Sequence, residues 1–352
     1  MFIKSMERNG AAMGKPVKVK KESYSFINVI AVVACLGVIV VILTVLFASY
    51  IFDRAAKPAD NQSVGESSAD EVSDIVSGEE TGEESQDNSH DETSSETSTV
   101  IPSGYTTVTL NQTDIRKGDL IIVNNDKQYD FSVENPLVSI YENRSKNYKL
   151  IDGSLQIAEK LMPVLNQMLD DLYNAVGSNA LTITAAYRTK AEQQSAYDQG
   201  KDTAVGGGSD LHTGLSFRCT IYPATEGSLT EGKFLWLAEN CKNYGFVLRY
   251  PAGKESITGF AASSSSFRYV GKPHAHLMTL NDYCLEEYVD FVKRFSFDNQ
   301  YRVDVDGVTY AIYYCQASAS GTTTVKIPEG AEYTISGDNS AGFIVTAIIN
   351  QG

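Results

Sequence analysis

One stretch dominates the hydrophobic pattern. Residues 26–52 read FINVIAVVACLGVIVVILTVLFASYIF, 27 residues without a charge. A bilayer core takes about 20 apolar residues in helix, so the run predicts a transmembrane helix with length to spare for tilt. Its apolar core is too long for a secretory signal, and ASYIFDRA is a weak cleavage site. The pattern then disappears. Residues 53–104 carry runs such as SGEETGEESQDNSHDETSSETSTV, without aromatics and almost wholly Ser, Thr, Glu, Asp and Gly. Such a segment buries too little apolar surface to fold and predicts a disordered acidic linker.

Periodicity returns at Tyr105. After a β-leaning lead-in over 105–131, four helices are expected. The first, 155–176, has Leu161, Leu165, Met168, Leu172 and Ala175 at helical spacing and Gly177 as its stop. The second opens at a capping box, Thr189 with Glu192, and the third at another, Ser228 with Glu231, running to about Gly245. The fourth covers 281–295 with Cys284, Tyr288, Val292 and Phe295 inward. Short strands are expected at 181–185, 215–222, 246–249 and 267–270. Helices mixed with short, non-alternating strands predict an α+β fold. From about Gln300 the texture becomes YRVDVDGVTYAIYYCQ, TTTVKI and EYTISGDNSAGFIVTAII, strands joined by Gly, Asp and Ser turns. Residues 299–352 therefore predict a small β-module, marginal alone and docked on the main domain. The chain divides into a basic tail (1–25), a transmembrane helix (26–52), a linker (53–104), a main domain (105–298) and this module.

Charge orients the chain. The 352 residues hold 29 Lys+Arg and 44 Asp+Glu, a net −15. Residues 1–52 have six bases and two acids, a net +4; residues 53–98 have two bases and fourteen acids, a net −12; the rest has 21 bases and 28 acids, a net −7. Bases before the apolar run and few after it place the N-terminus in the cytoplasm and the folded part outside the cell. The acidic total excludes a nucleic-acid binder, which needs a basic face. Outside the apolar run the cysteines are Cys219, Cys241, Cys284 and Cys315. Four thiols allow three full connectivities, and the sequence does not choose among them. With no CxxC pair, a cysteine zinc site is not expected.

Three segments carry a resemblance: LTITAAYRTKAEQQSAYDQG (181–200), SDLHTGLSFRCTIY (209–222) and WLAENCKNYGFVLRYPAGKESITGFAASSSSFRYVGKPHAH (236–276). In order, spacing and connecting helices they are similar to VanY-type zinc D-alanyl-D-alanine carboxypeptidases and their L,D relatives, bacterial enzymes that trim peptidoglycan stem peptides. YGFVLRYP followed by FRYVG is the most specific part. The resemblance covers most of 115–295. It implies a zinc D-Ala-D-Ala carboxypeptidase-like core, a small antiparallel sheet with helices.

It does not carry the family's chemistry over. The family's Ser-x-His-x-x-Gly-x-x-x-Asp motif, which supplies two zinc ligands, falls here on Leu211 for the histidine and Arg218 for the aspartate. Its Glu-x-Trp-His motif, supplying general base and third ligand, falls on Ser263, Ser265 and Ser266. His212 is one residue out of register, which on a strand turns a side chain to the other face. Catalytic zinc needs three N, O or S ligands and an open position for water. Leu211 offers none, Ser266 a weak neutral oxygen, and Arg218 a cation. Without the metal the water's pKa stays near about 15.7 instead of about 7, and Ser263 takes no proton from it. A substitute site from His212, His274 and His276 is disfavoured, although His274 and His276 would share a face on a strand.

Some groups match the family's recognition residues. Arg188 matches an arginine that contacts the substrate's carbonyl or carboxylate, a role suited to paired donors and a permanent charge. An ion pair at the start of the second helix is the structural alternative. Gln193 fits as support, and Ser209 and Asp210 match the residues before the lost histidine. Arg218 is expected either to bind a stem-peptide carboxylate or to fill the metal's place paired with an acid. No serine has Lys three residues on, and there is no Gly-x-Ser-x-Gly elbow, His-Glu-x-x-His, P-loop or GxGxxG. The 263–266 serine run is expected as a flexible loop, and 206–208 as a loop without a phosphate-cradling helix. The expectation is a single-pass extracytoplasmic homologue without catalysis, needing no cofactor, that binds stem peptides or a cell-wall protein. The alternative is an active zinc carboxypeptidase with an atypical site.

Overall fold

The computed structural model describes residues 104–351 other than Glu134. The expected basic tail, transmembrane run and nearly all of the linker lie outside the described residues. No helix among the described residues is long and apolar enough to cross a membrane. Strands β1 (Tyr105–Asn111), β2 (Leu137–Ser139), β3 (Lys149–Leu150) and β4 (Gln156–Ala158) lead to helix α1 (Met162–Val176). Pro163 sits in the first turn of α1, where the N–H it lacks would have no partner. Met162, Leu165, Met168, Leu169 and Leu172 bury one face, while Ala175 is exposed. Gly177 stops the helix at φ 67°, its N–H on the Tyr173 carbonyl.

There follow β5 (Leu181–Ala185), α2 (Lys190–Asp198), β6 (Ser216–Ile221), α3 (Trp236–Asn240), β7 (Phe246–Tyr250) and β8 (Ser263–Tyr269). They build a five-stranded sheet in the order β3-β5-β6-β8-β7, antiparallel except at β3/β5. Ile183, Phe217, Cys219 and Phe267 turn one face of it to α1 in a shared core. Phe217 stacks on Phe267 with centroids 5.4 Å apart. By the two-residue pleat, Ser216, Arg218, Ser266 and Arg268 occupy the other face. The α+β expectation is met.

Thr189 and Glu192 form the expected capping box at α2. The one expected at Ser228 does not form: Ser228 Oγ accepts from the Thr230 N–H, and Gly232 turns at φ 65°. The helix begins only at Trp236, after a 3-10 turn at Gly232–Leu235. The expected helix over 281–295 is shorter, α5 (Leu285–Val292), with Cys284 as its N-cap. Before it lies α4 (Lys272–Leu280), unexpected, with Pro273 in its first turn; Asp282 at φ 52° separates the two.

The C-terminal strands are β9 (Tyr301–Val305), β10 (Val308–Gln316), β11 (Thr322–Pro328), β12 (Glu332–Gly337) and β13 (Gly342–Gln351). Four form an antiparallel sheet, β12-β13-β10-β9, and β11 pairs with β1. The lead-in strand, assigned from sequence to the main domain, is thus a strand partner of the module. Ile312 and Ile344 share a core with Ala275, Met278, Tyr288 and Val292 of α4 and α5, which docks the module. Each such aliphatic side chain contributes on the order of 1.5–3 kcal/mol by leaving water. His274 bridges the same seam, Nδ1 2.6 Å from the Tyr288 hydroxyl and Nε2 2.9 Å from Thr346 Oγ1. Cys219, Cys241, Cys284 and Cys315 are free thiols.

Candidate functional site

The residues at the family's chemical positions meet on the sheet face away from α1. Across β6 and β8, Arg218 pairs with Ser266, Phe217 with Phe267 and Ser216 with Arg268. Leu211 reaches the same place from a 3-10 turn, Asp210–Thr213, capped by Ser209, whose hydroxyl accepts the Leu211 N–H at 3.3 Å. Leu211, Arg218 and Ser266 line one cavity of about 10 Å³. That volume holds at most about one water. Ser263 Oγ lies 3.0 Å from Ser266 Oγ and 3.2 Å from Ser265 Oγ. The serine run is therefore not a flexible loop: it is the start of β8, with Ser263 opposite Tyr250 and Ser266 opposite Arg218.

These residues do not fit a zinc ion. The cavity holds a hydrocarbon, a hydroxyl and a guanidinium where three lone-pair donors are needed. The neighbouring histidine has no free nitrogen. His212 Nδ1 lies 2.7 Å from the Arg188 carbonyl, and its Nε2 accepts the Gly207 N–H at 3.0 Å. The ring is thus the Nδ1–H tautomer, and burial holds its pKa below the ordinary value. His274 has both nitrogens engaged and is pushed down to about 3 by burial. His274 and His276 lie on helix α4, not on a strand; two helical steps set them about 200° apart, on different faces. Among the described residues no group of three His, Cys, Asp or Glu is placed to hold a metal ion.

An ion cluster stands beside the cavity instead. Arg218 Nη1 donates to Asp202 Oδ2 at 2.7 Å, and Arg188 Nη1 donates to the same oxygen at 2.9 Å. Arg188 Nη1 also lies 3.1 Å from Gln193 Oε1; Gln193 is fully buried and its Nε2 donates to the Ala204 carbonyl at 2.8 Å. The Asp202 side chain is 4% exposed, against 26% for Arg188 and 27% for Arg218. Burial pushes the Asp202 carboxyl up, but its hydrogen bond and charge pairing with Arg218, the Ala204 N–H and the Arg188 charge hold it below its ordinary value. Two cations on one carboxylate leave one positive charge in excess, and the exposed edges of both guanidiniums keep donors toward solvent.

A second network lies deeper. Asp210 accepts from Arg268 Nη1 at 2.5 Å, from Arg249 Nε at 3.2 Å and from Ser216 Oγ. Arg249 holds Glu286 of α5 by two bonds, 2.6 and 3.0 Å, and Arg268 Nη2 donates to the Asp119 and Ile121 carbonyls at 2.9 and 3.2 Å. Burial raises the Asp210 carboxyl, while the Arg268 and Arg249 charges prevail and lower it. Asp210, Ser209 and Gln193, expected among the substrate-facing groups, are thus buried and bonded within the protein; Arg188 alone of that set remains partly open. Sequence reasoning missed Asp202, Arg249, Arg268 and Glu286. Arg249 and Arg268 lie inside YGFVLRYP and FRYVG, the segments that marked the resemblance, and that was the signal available.

A mixed sheet packed on one helix thus carries a small cavity between β6, β8 and a glycine-bounded turn, and comparison with known proteins gives the class of that domain. Residues 155–272 match the family model VanY, D-alanyl-D-alanine carboxypeptidase. The chain is 30% identical over 245 residues to a D-alanyl-D-alanine carboxypeptidase of Enterococcus faecium, covering 68% of this chain and 78% of that protein. It is 29% identical over 149 residues to the bifunctional D-Ala-D-Ala dipeptidase and D-Ala-D-Ala carboxypeptidase VanXYC of Enterococcus gallinarum, covering 38% of this chain and 78% of that one. Among solved structures it resembles the vancomycin resistance D,D-dipeptidase VanXYg in complex with a D-Ala-D-Ala phosphinate analog. That match has a TM-score of 0.61 and 26% identity, over 70% of this chain and 99% of that one. The chain belongs to the VanY family of D-alanyl-D-alanine carboxypeptidases.

Proposed function

We propose that this protein is a non-catalytic member of its peptidase family that binds peptidoglycan stem peptides outside the cell, held at the membrane by residues 26–52. The observation that carries the reading is the pairing of Arg218 with both Ser266 and Asp202. The first supports a cation standing at the position that the resemblance aligns with a family ligand, and the second supports a role for that cation in binding an anion. Leu211 lines the remaining space without a lone-pair donor, which supports a site that neither holds a metal nor activates a water. Arg188 and Arg218 present donors of fixed charge, suited to the terminal carboxylate of a stem peptide. The D-Ala-D-Ala phosphinate complex of the solved relative supports a ligand of that chemistry in this fold.

Titrating a pentapeptide-stem muropeptide into wild type, Arg188→Ala and Arg218→Ala tests this. Saturable binding to wild type is expected, weakened about tenfold by either change, the loss of one charge-assisted hydrogen bond. Binding that both variants leave unchanged, or no binding at all, would remove stem-peptide recognition and leave a protein-interaction role.

A further inference from the structure

A second cleft lies away from the cavity of Leu211, Arg218 and Ser266. It has a volume of about 670 Å³ and lies where the C-terminal module meets the main domain. Its lining shows how it runs. From β13 it takes Ile344, Thr346 and Ile348, alternate residues on one face of the pleat. From β12 it takes all five consecutive residues 332–336. A cleft that meets both pleat faces of a strand runs along the strand's edge, over about 17 Å for five residues. β12 is indeed the outer strand of its sheet.

The chain already uses part of that edge. The Gly337 N–H donates to the Lys117 carbonyl at 2.7 Å, so an incoming segment is hydrogen-bonded to the end of β12. At Gly118, φ 110°, where a Cβ would overlap Ser336, the segment leaves the edge and passes over Ser336, whose Oγ accepts the Leu120 N–H at 2.8 Å. Outward-facing backbone groups recur every second residue along an antiparallel strand. From Gly337 they fall on Ile335 and Tyr333, beside the cleft, and no other strand pairs with that edge among the described residues. Tyr269, Gly271 and Lys272 also line the cleft. Tyr333 itself is 44% exposed.

We infer that this cleft is a second binding site, separate from the Arg188–Asp202–Arg218 cluster, and that it takes an extended polypeptide segment by strand addition to β12. The bound segment continues the pairing begun by the chain's own residues 115–117. Its N–H and C=O groups meet the outward groups of Tyr333 and Ile335, and its alternate side chains lie beside Glu332 and Thr334, the β12 partners of Ile348 and Thr346 on the cleft face. Recognition through main chain makes the site tolerant of sequence but intolerant of a blocked backbone.

The test is amide hydrogen exchange on the full-length protein with a randomised pool of capped hexapeptides at millimolar concentration. The Tyr333 and Ile335 amides are expected to exchange at least fivefold more slowly with the pool. They should be unaffected by the same pool N-methylated at every residue, which leaves neither edge of the peptide with a donor. Tyr333→Pro removes an outward donor and keeps the pairing with β13, since proline is tolerated on a strand's open edge. In that variant, with its melting temperature within a few degrees of wild type, the pool should no longer slow Ile335. No slowing by the unmethylated pool, or equal slowing by the methylated one, overturns the inference. So does protection by chitotetraose in place of peptide, which would make the cleft a saccharide site.

Discussion

Arg218 and Ser266 are direct cross-strand partners, facing each other from β6 and β8 on the sheet surface opposite α1. One is a cation and the other a weak neutral oxygen, and Leu211 closes the space beside them. On the proposed reading the scaffold is that of the family, while the groups it brings together differ from the family's ligands. That separates two kinds of change, and each can be tested alone.

If only the donors are missing, replacing them should restore a metal site. The combined Leu211→His, Arg218→Asp, Ser266→His variant is expected to take up close to one equivalent of zinc, measured by atomic absorption after dialysis. Each single variant should take up none, because one introduced ligand does not make a catalytic site. A triple variant that folds yet binds no zinc would show that the backbone itself has drifted.

The Asp202 cluster should appear in acid unfolding. Its folded pKa is lowered, so its contribution is fully present above the unfolded value of about 3.9 and lost as pH falls through the folded value. Asp202→Asn is expected to cost about 1.5–3 kcal/mol at neutral pH, the range for hydrogen bonds to charged groups. The difference from wild type should shrink below pH about 3.9. Urea unfolding at several pH values reads both.

A different pH window belongs to His274. Burial depresses its pKa to about 3, so the folded state refuses a proton that the unfolded chain accepts near about 6.5. Stability should then fall as pH drops from about 6.5, by up to about 1.4 kcal/mol per pH unit for that one group. His212 is depressed too and adds in the same direction. The slope between pH 6 and 4 should flatten in His274→Asn. An unchanged slope would mean that His274 is charged or solvated in the native state.

Glu286→Ala leaves Arg249 buried without its bidentate partner. Removing one member of a buried pair costs about 3–5 kcal/mol, so this variant should unfold well below wild type in a thermal melt. Glu286→Gln keeps the shape and should recover part of the loss. Ile344→Ala, in the seam that docks the module, should cost about 2–5 kcal/mol.

Much of the fold was visible in the chain. The α1 stripe, the Thr189 capping box and the strands around Phe217, Phe246 and Phe267 are local signals, and local physics decides them. The departures have non-local causes. Tyr105–Asn111 reads as a β lead-in, but only its pairing with β11, more than two hundred residues away in sequence, joins it to the module. The 263–266 serines look like loop residues, and it is the facing residues Arg218 and Tyr250 that hold them as strand. In the candidate site the positions of Leu211, Arg218 and Ser266 followed from the family resemblance. Asp202, which sets the electrostatics, sits in a loop with no periodicity and was found only in three dimensions.

The most direct measurement is zinc content together with D-Ala release from a pentapeptide stem by the purified full-length wild-type protein. Leu211, Arg218 and Ser266 at the ligand positions predict zinc far below one equivalent and no D-Ala release, with or without added zinc. Zinc near one equivalent, with release abolished by a chelator, would contradict a non-catalytic protein.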